Sequence, residues 1–157
     1  MVLGQLIKKA ALEHWEGHNV LRDMDMERQV RVVSGLTTGK RILLVEDDEP
    51  VRTLMHHVLL SAGYAVDSVS TMASALARIE AHTYHLVLTD DRLPDGRGVR
   101  IAEIAKERGI DAVVLTGYML QSARSDLDAH EHLMKPIRPS ELIKAVERHL
   151  TDNESAE

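Results

Sequence analysis

Residues 85–98 read HLVLTDDRLPDGRG, and the fold turns on this stretch. Leu86, Val87 and Leu88 form a short apolar run of the kind that makes a strand buried on both faces. The run ends at Thr89, Asp90 and Asp91. A polar turn with Pro94, Gly96 and Gly98 follows, and then a helical pattern. A buried parallel strand that stops on a carboxylate and returns as a helix places that carboxylate at the C-terminal edge of the sheet. Open α/β sheets bind ligands at that edge. Asp90 and Asp91 are therefore the first candidates for chemistry, and Asp91 reads as a solvated neighbour of the nucleophile.

Working outward, the same alternation repeats. Ile42–Val45 is an apolar run ending on Glu46, Asp47, Asp48 and Glu49. Pro50 suits the first turn of a helix whose apolar residues are Val51, Leu54, Met55, Val58 and Leu59, with Gly63 as its stop. Asp48 and Glu49 suit that helix's N-terminus. A second strand is expected over 64–69 and a second helix over 71–81, capped by Ser70 or Thr71. The third strand spans 84–89, the third helix 99–108 closed by Gly109, and the fourth strand 111–116. A short polar helix over 118–129, a fifth strand over 131–134 and a last helix over 140–150 complete the pattern. Five such units give an α/β fold: a doubly wound, five-stranded parallel sheet with right-handed crossovers and strand order 2-1-3-4-5, flavodoxin-like.

Before this domain the chain reads differently. In residues 1–18, Leu3, Leu6, Ile7, Ala10, Ala11, His14 and Trp15 recur at helical steps, which predicts an amphipathic helix. Residues 1–33 form a helical extension in this reading, 34–40 a linker, 41–150 the main domain and 151–157 an acidic tail. The extension suits packing on the domain, dimerisation or partner binding.

Composition narrows the function. The 157 residues hold no Cys and no Phe, and one Trp. Thiolate metal sites are excluded, and a cytoplasmic, reducing compartment fits. No apolar run approaches a membrane span, and Lys8, Lys9 and Glu13 interrupt any signal-peptide core. The net charge of −6 is uneven. Residues 1–41 carry seven Lys/Arg against five Asp/Glu, and residues 42–157 carry twelve against twenty. An acidic main domain argues against nucleic acid as its direct partner. The histidines are scattered; His14 and His18 are four apart, but no third ligand has matching spacing.

In the expected strand order the first and third strands are neighbours, so Glu46, Asp47 and Asp90 converge. Crowded carboxylates repel unless they share a cation, and Mg²⁺ fits a set of hard oxygens that must also bridge to a phosphoryl group. Thr116 ends the fourth strand and Lys135 the fifth, bringing a hydroxyl and an ammonium to the same edge. Acids, a metal, a hydroxyl and an ammonium suit attack by a carboxylate on a phosphoryl group.

Residues 40–150 resemble the receiver domain of bacterial two-component response regulators. The motifs are ILLVEDDEP, LTDDRLPDGRG, VVLTGY and LMKP. The resemblance implies that Glu46 and Asp47 are the acid pair and that Asp90, four before Pro94, is the phosphoacceptor. It implies metal ligation by Glu46, Asp47, Asp90 and the backbone carbonyl of Arg92. Thr116 would grip a phosphoryl oxygen beside the small Gly117, Lys135 would bridge to the phosphoryl group, and a cis Lys135–Pro136 bond is expected. The implied partners are a histidine kinase or histidine phosphotransfer protein and a downstream protein, with output by protein contact or phosphate relay and only slow autodephosphorylation. Departures are a short segment between Thr116 and Lys135, and His132 where the family often places an aromatic. Tyr118 and Arg92 fall where side chains flank the pocket mouth. The junction before Arg41 also resembles that preceding a receiver at the end of a hybrid kinase. Two other readings are a receiver-like scaffold that is never phosphorylated and an aspartyl-nucleophile phosphatase. The latter needs an acid where Arg92 stands.

Overall fold

The structure is a computed structural model, and it describes residues 38–117 and 129–152. The expected helices over 1–18 and 118–129, Tyr118 and nearly all of the acidic tail lie outside the described residues.

Five strands form one parallel sheet: β1 (Arg41–Val45), β2 (Ala65–Val69), β3 (Leu86–Asp90), β4 (Asp111–Thr116) and β5 (Glu131–Met134). Their order across the sheet is β2-β1-β3-β4-β5, as the alternating pattern predicts. Four described helices accompany them: α1 (Glu49–Ser61), α2 (Met72–Ala81), α3 (Gly98–Glu107) and α4 (Pro139–Asp152). A two-residue hairpin, Arg92–Leu93 against Gly96–Arg97, lies between β3 and α3.

The apolar runs are continuous because successive side chains point to opposite faces and both faces are covered. Ile42 and Leu44 of β1, Leu86 and Leu88 of β3, and Val113 and Leu115 of β4 pack with α1 and α4. The intervening Leu43, Val45, Val87, Ala112 and Val114 pack with α2 and α3. All but Ala112 are fully buried.

The ends follow local chemistry. Asp48 caps α1, its Oδ1 accepting from the Val51 amide at 3.0 Å, and Pro50 sits in the first turn. Gly63, at φ +93°, takes the left-handed conformation that lets the chain leave α1. Thr71 caps α2, accepting from the Ser74 amide at 3.2 Å. At α4 the Glu141 carboxylate reaches back to the Arg138 amide at 3.1 Å, half of a capping box, and Pro139 opens the helix. Several bounds differ from the sequence expectation by one or two residues. β2 starts at Ala65, β3 at Leu86, and α3 starts at Gly98, where the hairpin hands over to the helix. Hydrophobic period carries no information about such frayed ends.

Candidate functional site

Parallel pairing puts the C-terminal ends of β1, β3, β4 and β5 side by side. Val45 pairs with Thr89, Asp90 with Leu115, and Thr116 with Met134. The residue at or just past each end is Glu46, Asp90, Thr116 or Lys135, so one edge gathers all four. Carboxylate oxygens of Glu46, Asp47 and Asp90 lie within 4.8 Å of one another, the one group of potential metal ligands found among the described residues.

Burial grades these groups. Glu46 is fully buried, Asp90 is mostly buried, and Asp47 is exposed. The Lys135 ammonium lies 2.5 Å from Glu46 Oε2 and 3.2 Å from Asp90 Oδ2. Glu46 Oε1 accepts from the Asp48 amide at 3.2 Å. Burial pushes the Glu46 carboxyl up to about 7, even though the Lys135 hydrogen bond and charge pull it down. Burial pulls the Lys135 ammonium down, but Glu46 and Asp90 outweigh it and hold the group above its usual range. A divalent cation would suit this donor set of three carboxylates, one of them fully buried at a desolvation cost that a single lysine offsets only in part.

Thr116 is buried as the last residue of β4, and its carbonyl accepts from the Lys135 amide at 2.8 Å. The Lys135–Pro136 bond is cis, as the resemblance implies. Arg92 is exposed in the hairpin, and its amide faces Asp90 Oδ1 at 3.4 Å. His132 is half-buried on β5, with Nδ1 2.8 Å from the His130 carbonyl and a buried Nε2 that has no hydrogen-bond partner among the described residues.

Asp91 corrects the sequence reading. It is buried, not solvated, because β3 side chains alternate and the residue after Asp90 points into the α3 side. Arg97 satisfies it from two guanidinium nitrogens, Nε donating to Oδ1 at 3.1 Å and Nη2 to Oδ1 at 3.0 Å and Oδ2 at 2.8 Å. Strand alternation next to Asp90 could have signalled this.

Three further residues shape the site and were not singled out as site residues. Arg52 Nη1 donates to the Glu46 carbonyl at 2.8 Å and leans on the Asp47 carbonyl at 3.4 Å, steadying the loop that carries the acid pair. Its place one turn into α1 was the available clue. Asp95 accepts from the Met72 and Ala73 amides at 2.7 and 2.9 Å, tying the hairpin to α2. No sequence signal links positions so far apart. Gly98 packs on the Asp90 backbone: a Cβ there would lie 1.9 Å from the Asp90 carbonyl oxygen.

An ordered cluster of carboxylates beside an ammonium, at the edge of a 2-1-3-4-5 sheet, can bind a cation and present Asp90 to an electrophile. Comparison with known proteins agrees on the family. The chain is 34% identical over 116 residues to the response regulator receiver protein CpdR of Brucella abortus, covering 71% of this chain and 97% of that protein. Longer regulators are matched over 65%, 25% and 54% of their own lengths. Among solved structures it is similar to response regulator protein TrrA of Thermotoga maritima, solved in complex with Mg²⁺-BeF. The TM-score is 0.63 and the identity 31%, covering 70% of this chain and 98% of that one. It is also similar to the receiver domain of a sensor histidine kinase of Pseudomonas aeruginosa PAO1, solved with a magnesium ion coordinated in its active site cleft. There the TM-score is 0.65 and the identity 32%, covering 73% of this chain and 99% of that one. The family model of the response regulator receiver domain matches residues 42–147, and the chain belongs to that family.

Proposed function

We propose that this receiver accepts a phosphoryl group on Asp90 from a histidine kinase or histidine phosphotransfer protein. The observation that carries the reading is the meeting of Glu46, Asp47 and Asp90 within 4.8 Å, with Lys135 Nζ 3.2 Å from Asp90 Oδ2. Asp47, Glu46, Asp90 and the Arg92 carbonyl would hold Mg²⁺, and relatives solved with magnesium support that assignment. The cation supplies charge neutralisation for carboxylates and phosphoryl oxygens that would otherwise repel.

In the transfer an Asp90 carboxylate oxygen attacks phosphorus, the new O–P bond forms, and the bond from phosphorus to the donor imidazole nitrogen breaks. The electron pair stays with the imidazole. Lys135 and Thr116 bind phosphoryl oxygens. To do so Lys135 exchanges part of its hold on Glu46, which couples occupancy of the site to the β4 and β5 ends. That is a population shift driven by new contacts at one edge. Output passes by protein contact or phosphate relay.

The test is intact mass after incubation with a small acyl-phosphate donor, with and without Mg²⁺. One added phosphoryl group is expected for the wild type with Mg²⁺, and none for Asp90→Asn. An adduct that survives in Asp90→Asn, or no adduct with no donor turnover, overturns the assignment and favours a binding scaffold.

A further inference from the structure

Arg97 is committed to a residue that the transfer itself does not use. The Asp91 side chain is 4% exposed, so its bond to Arg97 is not one of the solvated surface pairs that contribute little. Arg97 Nε and Nη2 both face this carboxylate, and Nη2 reaches both of its oxygens. Such a fork fixes orientation as well as distance, which a single ammonium does not.

Asp91 stands between two groups of the site. Asp90, the nucleophile, precedes it, and Arg92, whose carbonyl would ligate Mg²⁺, follows it. The Asp91 amide donates to the Leu115 carbonyl at 2.9 Å, and the Asp91 carbonyl accepts from the Gly98 amide at 2.8 Å. Arg97 in turn pairs with Arg92 across the hairpin. The clamp therefore closes the base of the hairpin onto the end of β3 and sets where the Arg92 backbone lies. The Arg92 amide faces Asp90 Oδ1 at 3.4 Å. Asp95 anchors the turn of the same hairpin to α2, and Arg97 anchors its other end.

We infer that Arg97 is a positioning residue: clamped to Asp91, it holds the Asp90 carboxylate and the Arg92 carbonyl in place for Mg²⁺ and for attack on phosphorus. The inference rests on the roles proposed for those two groups. The charge of Arg97 acts in the opposite sense. A guanidinium near a cation site disfavours Mg²⁺, and removing it leaves the Asp91 carboxylate uncompensated. Lost position and lost charge therefore move Mg²⁺ affinity in opposite directions.

The test is titration of the full chain with Mg²⁺ by calorimetry. Urea denaturation and phosphoryl uptake from a small acyl-phosphate donor are followed on the same samples. Arg97→Ala should bind Mg²⁺ about tenfold more weakly, the cost of losing a group that orients a metal's ligands, and should take up phosphoryl groups more slowly. Arg97→Lys restores the charge without the fork, so it should recover the urea midpoint more fully than the Mg²⁺ affinity. The double variant Asp91→Leu/Arg97→Leu removes both charges and leaves no buried carboxylate unpaired. It should keep a midpoint near wild type and still bind Mg²⁺ about tenfold more weakly, which decides the matter even where Arg97→Ala fails to fold. Unchanged or tighter Mg²⁺ binding in the folded variants would reduce the pair to neutralising a buried charge and overturn the inference. A wild type that binds Mg²⁺ but takes up no phosphoryl group would refute the role of Asp90, and the Mg²⁺ titrations would still decide that of Arg97.

Discussion

Gly98 shows how closely the site is built at the scale of a single residue. A side-chain carbon there would collide with backbone, the Asp90 carbonyl, which cannot swing aside as a flexible side chain would. Gly98→Ala should therefore destabilise the domain by about 2 kcal/mol or more, the upper part of the range for overpacking, since β3 or α3 must move. Urea denaturation checks it, with a midpoint close to wild type as the contrary result. Glu46, Asp47, Asp90 and Thr116 were legible as candidates because they close readable apolar runs, whereas Lys135 follows a weaker strand and was read with its LMKP motif. Asp91 was misread. Its charge suggested solvent, but its burial is set by strand alternation and made tolerable by Arg97, six residues away across the hairpin.

At the scale of elements, the hairpin and α2 are held together by Asp95. Its carboxylate accepts two of the amides that a helix N-terminus leaves unpaired. The Ala73 and Met72 amides hold its carboxyl below the ordinary 3.8. A depressed carboxyl contributes stability that is present above its unfolded value and is lost as pH falls through the folded one. Asp95→Asn should accordingly be less stable than the wild type at neutral pH, and the gap should close as both are taken below pH 3.8. Denaturant midpoints at neutral and acid pH measure this; a gap that does not change with pH would remove the carboxylate from the account. The existence of the described strands and helices followed from periodicity and from Pro50, Gly63 and Gly109. The extra capping from Asp95 did not, because it joins residues more than twenty apart.

At the scale of the whole molecule, one polar network crosses the sheet at the end opposite the site. Asp67 Oδ2 accepts from Arg41 and from the Tyr84 hydroxyl, each at 2.6 Å, and the Arg41 guanidinium lies 5.2 Å from the centre of the Tyr84 ring. It links β1, β2 and the approach to β3. Burial and the Asp67 hydrogen bond and charge push the Tyr84 phenol up to about 12 from an ordinary 10.0. A group raised on folding gives stability that is complete below its unfolded value and lost as pH rises through the folded one. Tyr84→Phe should lose about 1.5–3 kcal/mol at pH 8, the usual worth of a hydrogen bond to a charged group. The difference from wild type should shrink between pH 10 and about 12. Paired urea titrations at pH 8 and in that alkaline window test it, and a constant difference would argue against the bond.

The βα alternation, the expected strand order and the candidate residues of the acidic edge are all written in the amino-acid order. These rest on local periodicity, turn chemistry and the resemblance its motifs carry. That Lys135 pairs with the fully buried Glu46 while facing Asp90 emerges only once the strands are assembled. The burial of Asp91 on Arg97 and the apolar pocket between α1 and α4 are equally tertiary facts. A pairing energy, a desolvation cost or a cavity depends on distances between residues remote in the chain. Hydrophobic period and residue type do not encode those distances.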